Sequence, residues 1–271
     1  MQFVPRQPDR NVNITPTSAI REFLVLAGGL MAIVLVLYLL LGFAVELLIP
    51  RLSPRFEQVL ASSLLSKTMS GKIDAEKSQK LQSLLDRLQE HCARLPYHCT
   101  VKVIDSPRVN ALAAPGGTII VFSSLLDELS SENELTFVLG HEMGHFFHRD
   151  HLRGLGRGLV FAAISTALFG PHNQASRLAA RFLNLTELRF SRQQETAADH
   201  FALDVLHCTY GHVGGALIFF KKLASMHHSR YAGVSFFSSH PLFPERMQDL
   251  QDYCRQQGFH NGRVTPLPEG W

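Results

Sequence analysis

The chain has no strong excess of charge of either sign: 26 lysines and arginines stand against 23 acidic residues, a formal net charge of +3 over 271 residues. It also lacks any basic run interleaved with aromatics, so nucleic acid is not expected among its partners. No CxxC pair occurs among the four cysteines, Cys92, Cys99, Cys208 and Cys254, which argues against a structural zinc cluster. Cys92 and Cys99 are close enough in sequence to be bridged in an oxidising compartment, or to be two half-buried thiols. Cysteine usage therefore leaves the compartment open. Internal repeats and low-complexity tracts are absent. At 46% hydrophobic and 18% charged residues, the composition suits a folded protein with an apolar segment rather than a disordered one.

That segment is the run "FLVLAGGLMAIVLVLYLLLGFAV" from Phe23 to Val45, free of charge and long enough to span a bilayer as a helix. A cleaved signal peptide would have a shorter apolar core and a small-x-small cleavage site, and "ELLIPRLSPRFEQ" offers none. The expected organisation is an N-terminal tail (1–22), a single membrane anchor (23–49) and a linker (50–73). Orientation does not follow from charge: Arg6, Arg10 and Arg21 on one side are matched by Arg51, Arg55 and Lys67 on the other.

Beyond the linker the patterning is mostly helical. Leu81, Leu84, Leu85, Leu88 and Cys92 recur at helical spacing between Asp74 and Leu95. "CTVKVID" alternates and reads as a strand, and "SPRVNALAAPGGTIIVF" reads as strand, tight turn at Pro115-Gly116-Gly117, and strand. Ser131 and Glu134 have the spacing of a capping box opening the next helix. "LVFAAISTALF" (Leu159–Phe169) is too short to span a membrane alone and reads as a buried or substrate-side helix, with a re-entrant or membrane-contacting segment as the lesser alternative. Further helices are expected at 175–207, 213–228 and 245–256. The expected fold is α+β and predominantly helical, with a small antiparallel sheet.

The stretch "FVLGHEMGHFFHRDHLRG" carries the chemistry. Positions four apart share a helix face, so His141 and His145 can aim two imidazoles at one zinc ion, whose catalytic sites take three protein ligands and keep one position open. Glu142, beside His141, is placed to take a proton from water at that open position. Downstream, in "SRQQETAADHFAL", Glu195 can complete a His-His-Glu set. Asp199, one turn on, can accept from the far nitrogen of a ligand histidine. Ala197, Ala198 and Ala202 would let the two helices approach closely. His148 and His151 read as surface residues, and His200 as pointing elsewhere.

"HEMGHFFHRDH" followed by "ETAAD" resembles the gluzincin metalloendopeptidases of the HtpX and CAAX prenyl protease family. "VNALAAPGGTIIVFSSLL" is similar to that family's NAxAxPGG segment and "SSHPLFPERM" to its SHP…R segment, so the resemblance runs from about Val101 to Gln256. It implies a zincin-like domain over residues 74–260, followed by a short tail (261–271). It implies one zinc per chain on His141, His145 and Glu195, Glu142 as general base, and Asp199 behind the ligands, with Arg246 either supporting the His240 region or pairing with a carboxylate such as Asp199. Asn110, Ala111, Ala113, Pro115, Gly116 and Gly117 would line a sheet edge where a protein or peptide substrate adds as a strand. His240 would either donate to the developing oxyanion or sit on the metal as an inhibitory ligand. HtpX-like members carry further membrane spans, and this chain looks more like the single-anchor branch.

The expectation is a membrane-anchored zinc metalloendopeptidase, with a role in envelope protein quality control. Its domain would lie in the periplasm on a bacterial inner-membrane anchor. A membrane-tethered chaperone or assembly scaffold with latent proteolysis is the rival. Substrate identity and oligomeric state are not legible.

Overall fold

A computed structural model describes residues 18–59, 71–170, 190–228, 239–241 and 245–268. The chain falls into two compact units, one up to Leu41 and one from Gly42 onward. Helix α1 (Ala19–Leu48) has 30 residues, none of them buried. At 1.5 Å per residue it reaches about 45 Å, more than the roughly 30 Å hydrocarbon core of a bilayer. It is long and apolar enough to cross a membrane. Pro50, in the 3-10 turn Ile49–Arg51, marks its end.

Further along the second unit, β1 (Ile73–Asp74) runs directly into helix α2 (Ala75–His91), whose first turn is capped by Asp74 accepting from the Lys77 amide at 3.0 Å. Leu81, Leu84, Leu85 and Leu88 of α2 are all buried, as their spacing requires. The sheet adds β2 (Thr100–Ile104), β3 (Ala111–Ala114) and β4 (Thr118–Phe122), in the order β1-β2-β4-β3. It is mixed rather than wholly antiparallel, because β4 pairs in parallel with β2 and antiparallel with β3. The continuous run "TIIVF" is buried at every residue, which suits β4 to the centre and leaves β3 at the edge. The turn between them needs its glycines: Gly116 and Gly117 both have φ of 79°, and a Cβ on Gly117 would lie 2.8 Å from the Tyr97 ring.

After the short helix α3 (Ser123–Glu128) comes α4 (Glu132–Phe147), opened by Ser131 accepting from the Glu134 amide. Every residue of α4 from Asn133 to Phe146 is buried. Helix α5 (Asp150–Phe169) follows at once, then α6 (Arg192–Tyr210), α7 (Ala216–His228) and α8 (Arg246–Gln257). The expected start of the α6 helix at 175 falls outside the described residues. The core is one apolar cluster shared by α2, the sheet, α4, α6 and α7, with Leu85, Val103, Val121, Leu139, Leu206 and Phe220 among its members.

Within that core α4 and α6 touch backbone to backbone. A Cβ on Gly140 would lie 3.1 Å from the Ala202 Cα, and one on Gly144 only 2.8 Å from the Ala198 Cα. The alanines anticipated in sequence are one half of this contact, and glycines on α4 are the other.

Three expectations are corrected. The disulfide is Cys92–Cys208, joining the end of α2 to α6, while Cys99 is a free buried thiol. Cys99 leads into β2 and faces the core, whereas Cys92 caps α2 on the side facing α6, so neither open alternative, a Cys92–Cys99 bridge or two free thiols, holds for Cys92. The Leu159–Phe169 stretch is not a buried helix: Leu159, Leu168 and Phe169 are 54%, 43% and 66% exposed. With its polar first turns, α5 is itself long and apolar enough to be a second candidate span. His151 is buried rather than on the surface, 3.4 Å from the Glu57 carboxylate.

Candidate metal centre

The close contact of α4 and α6 brings His141 and His145 of one helix against Glu195 and Asp199 of the other. All four side chains are buried, with His240 and Arg246 from beyond α7. The donor atoms of His141, His145, Glu195 and His240 lie within 4.8 Å of one another. The chemistry of these side chains fits a cation.

The tautomers decide it. His141 Nδ1 is 2.9 Å from Asp199 Oδ1, and His145 Nδ1 is 3.0 Å from Asp150 Oδ2. A carboxylate oxygen only accepts, so each Nδ1 carries the proton and donates. Both Nε2 atoms then present lone pairs, and these lie 3.2 Å apart in a water-excluded interior. Two facing lone pairs, with Glu195 Oε2 at 3.6 Å from one and Oε1 at 3.7 Å from the other, are what a cation between them would relieve. Burial, and next the neighbouring His141 imidazole, push His145 well below the usual histidine range, in keeping with a neutral ligand.

The carboxylates are sorted by their neighbours. Burial opposes ionisation of Glu195, but His240 and Arg246 outweigh it and hold the group at about 2. At Asp199 burial is likewise overcome, mainly by Arg246, again to about 2. Arg246 makes a two-pronged pair with Asp199, Nε to Oδ2 at 2.6 Å and Nη2 to Oδ1 at 2.8 Å, and its Nη1 is 2.6 Å from Glu195. Glu142 is different. Both its oxygens are buried without a hydrogen-bond partner among the described residues, and burial raises its pKa. The nearest counter-charge is His240 Nε2 at 3.4 Å, and the Ala113 backbone of β3 also favours its charged form.

His240 sits in the middle. Its Nδ1 is 3.1 Å from Glu195 Oε1 and 3.1 Å from His141 Nε2. Burial disfavours its charge, but Glu195 and Glu142 together raise its pKa.

The remaining sequence-derived residues are at the rim. β3 lies at the sheet edge, yet Ala111, Ala113, Pro115 and Gly117 are buried and only Gly116 is half-exposed. Asn110 is buried too; its Oδ1 accepts from the Ala111 amide and from Ser239 Oγ, tying the edge strand to the residue before His240.

Sequence reasoning missed Asp150, Gln194 and Phe190. Asp150 holds His145 and accepts from Gln194 Nε2 at 2.8 Å, while Gln194 Oε1 closes the capping box with the Ser191 amide. Phe190 stacks on the His145 ring at 3.8 Å. Asp150 reaches back because the chain reverses at Arg149, the sole non-glycine residue with positive φ (57°) among the described ones. Nothing in "HRDH" announces that turn. His200 does point away, stacking on Tyr253.

Two histidines four apart on one helix, a glutamate on a second, and a buried carboxylate beside them make a cluster that fits a metal ion, in the arrangement of the gluzincins. The chain matches Peptidase family M48 over residues 75–254 and belongs to that family, the zinc metalloendopeptidases. It is 30% identical over 199 residues to metalloprotease LoiP of Escherichia coli, covering 71% of this chain and 77% of that protein. It is 33% identical over 160 residues to E. coli metalloprotease YcaL, covering 56% and 60%. With the mitochondrial metalloendopeptidase OMA1 of Arabidopsis thaliana it shares 34% over 133 residues, 48% of this chain but 26% of that one.

Proposed function

We propose that His141, His145 and Glu195 hold one zinc ion per chain and that Glu142 is the general base of peptide hydrolysis. The observation that carries this is the pair of Nε2 atoms 3.2 Å apart, with the Nδ1 of each ring within 3.0 Å of a carboxylate oxygen. Zinc bound there supplies a Lewis acid that makes water acidic and polarises a carbonyl. The chain does the rest. Glu142, unsatisfied and with a raised pKa, accepts the proton of the attacking water and returns it to the leaving amine. Asp199 and Asp150 fix the tautomers of the two histidines, and Arg246 keeps Asp199 and Glu195 ionised.

The substrate is read as an extended polypeptide added alongside β3. The edge position of that strand and the proximity of Ala113 to Glu142 support this. His240 faces Glu195, His141 and Glu142 together, which favours its blocking role over oxyanion donation in this conformation. The same contacts favour, as a second reading, a tethered chaperone or scaffold whose proteolysis is latent. We further propose a single-span anchor (23–49) carrying a metallopeptidase domain (74–260) into the periplasm, for envelope quality control. The Cys92–Cys208 bridge supports an oxidising compartment.

The test is metal content by mass spectrometry with casein hydrolysis alongside, on wild type, Glu195→Ala and Glu142→Gln. Wild type should carry about one zinc, and Glu195→Ala should lose zinc and activity together. Glu142→Gln should keep zinc and lose roughly 10²–10⁴-fold in rate. Casein cleavage by Glu142→Gln at the wild-type rate would sink the assignment.

A further inference from the structure

Behind the centre, on the far side of Asp150, a cleft of about 620 Å³ opens between the start of α5, the start of α6 and the end of α1. Arg149, Arg153, Arg157 and His148 line it. Two carboxylates face them there, Glu46 and Asp150, and Asp150 is already turned to His145 and Gln194. Glu46 alone answers two guanidiniums, Arg153 directly and Arg157 at 3.9 Å. Arg149 is committed elsewhere: its Nη1 is on the carbonyls of Ile49 and Leu52 and lies 3.8 Å from the buried Glu57 carboxylate. At Arg153 and Arg157, by contrast, two positive charges are met by the one carboxylate of Glu46.

The cleft also has a definite depth. Glu46 is the first charged residue after the 23-residue apolar run of α1, so it marks where that helix leaves hydrocarbon. Going along α5 from Arg149 to Arg153 to Gly156, the contacts on the α1 side run backwards, from Leu52 and Ile49 to Glu46 to Val45. The first turns of α5 are therefore antiparallel to the last turns of α1. The half of α5 that follows, "GLVFAAISTALF", has no charge and leaves Leu159, Leu168 and Phe169 exposed. A basic cleft at headgroup level, continued by an uncovered apolar helix face, matches the two ends of one kind of molecule.

We infer that this cleft is a binding site for an anionic phospholipid, with its phosphate between Arg153 and Arg157 and its acyl chains along α5. Guanidiniums recognise phosphate oxygens through paired N–H donors, and a basic cluster at the membrane surface attracts anionic headgroups. The site depends on α1 being in a bilayer and not on peptide hydrolysis, so failure of either leaves the other standing.

The experiment is native mass spectrometry of the full chain in detergent, titrated with phosphatidylglycerol, with phosphatidylcholine and with inorganic phosphate. Phosphatidylglycerol should bind at least about tenfold more tightly than phosphatidylcholine, and millimolar phosphate should not displace it. Arg153→Gln with Arg157→Gln should erase the preference, and Glu46→Gln, which removes the competing carboxylate, should strengthen it. The conservative Arg153→Lys with Arg157→Lys keeps the charge and should retain most of the preference, which guards against misfolding as the cause. Equal binding of the two lipids by wild type, or an unchanged preference in the double glutamine variant, would overturn the assignment. So would displacement by inorganic phosphate, which would make the cleft a free-anion site.

Discussion

Helices α4 and α5 are neighbours in sequence and break the same rule in opposite directions. α4 buries polar groups, among them Asn133, Glu134, His141, Glu142 and His145. α5 leaves apolar ones uncovered, Leu159, Leu168 and Phe169. Apolar residues inside and polar ones outside is the cheap arrangement, and each departure has to be compensated. On α4, Asn133 and Glu134 find partners within the chain, in the Thr265 amide and Lys222 Nζ, and the proposed partner of the two histidines is a cation. For α5 the proposed partner is an apolar phase. Substitutions that satisfy or disturb the two helices should therefore give opposite signatures.

The largest effect is expected where a buried charge is stranded. Asp199→Asn leaves Arg246 with Glu195 as its main counter-charge, and should cost about 3 kcal/mol in metal-free protein near neutral pH. The pH dependence follows from sign. Asp199 is held at about 2 against an ordinary 3.8, so its contribution is present above pH 4 and fades as pH falls towards 2. Urea midpoints of wild type and variant should be well apart at pH 7 and converge by about pH 2–3. A constant gap across that range would mean that Asp199 does not carry the charge.

Next comes the helix contact itself. Gly144→Val puts its Cβ 2.8 Å from the Ala198 backbone, which cannot step aside as a side chain could. Overpacking of this kind costs about 2 kcal/mol and separates His145 from Glu195. The checkable outcome is a lowered Tm together with weakened zinc retention. Ala198→Gly in the same chain should recover neither, because the clashing atoms are the Ala198 Cα and carbonyl oxygen, which that change leaves in place.

How much of this was legible without coordinates depended on whether a residue's partner shares its helix. HEMGH and ETAAD were readable because their spacing is fixed by helix geometry, and α2 because its leucines repeat. The pairing of Arg246 with Asp199 was open as an alternative, as was the place of His240. What local spacing does not encode stayed hidden. Cys92 pairs with Cys208 across 116 residues, not with Cys99 seven away. β4 lies between β2 and β3, which a strand-turn-strand reading leaves open. Asp150 depends on a left-handed backbone turn at an arginine, which no propensity favours.

Asp150 accordingly gives a sharper, smaller test. Asp150→Asn keeps the shape but offers His145 an amide that can present either its oxygen or its NH₂, so the tautomer is no longer enforced. Loss of such support typically weakens metal binding 10–100-fold. Chelator competition should show that drop while the folded state stays cooperative. Metal affinity equal to wild type would mean that Phe190 stacking alone orients the ring.

The smallest effect on folding should come from α5, and that is the informative part. Leu159→Gln with Leu168→Gln replaces side chains that are 54% and 43% exposed, so the thermal midpoint of the detergent-free domain should hardly move. Exposed substitutions of this kind stay within about 0.5 kcal/mol. If α5 faced a protein core instead, the pair would cost several times that. In vesicles the order reverses, because two glutamines must then leave water for hydrocarbon, and partition of the chain lacking residues 1–41 into anionic vesicles should fall sharply. A helix whose polar variants are silent in water but costly beside lipid is built for the membrane, whereas α4 should be costly in both.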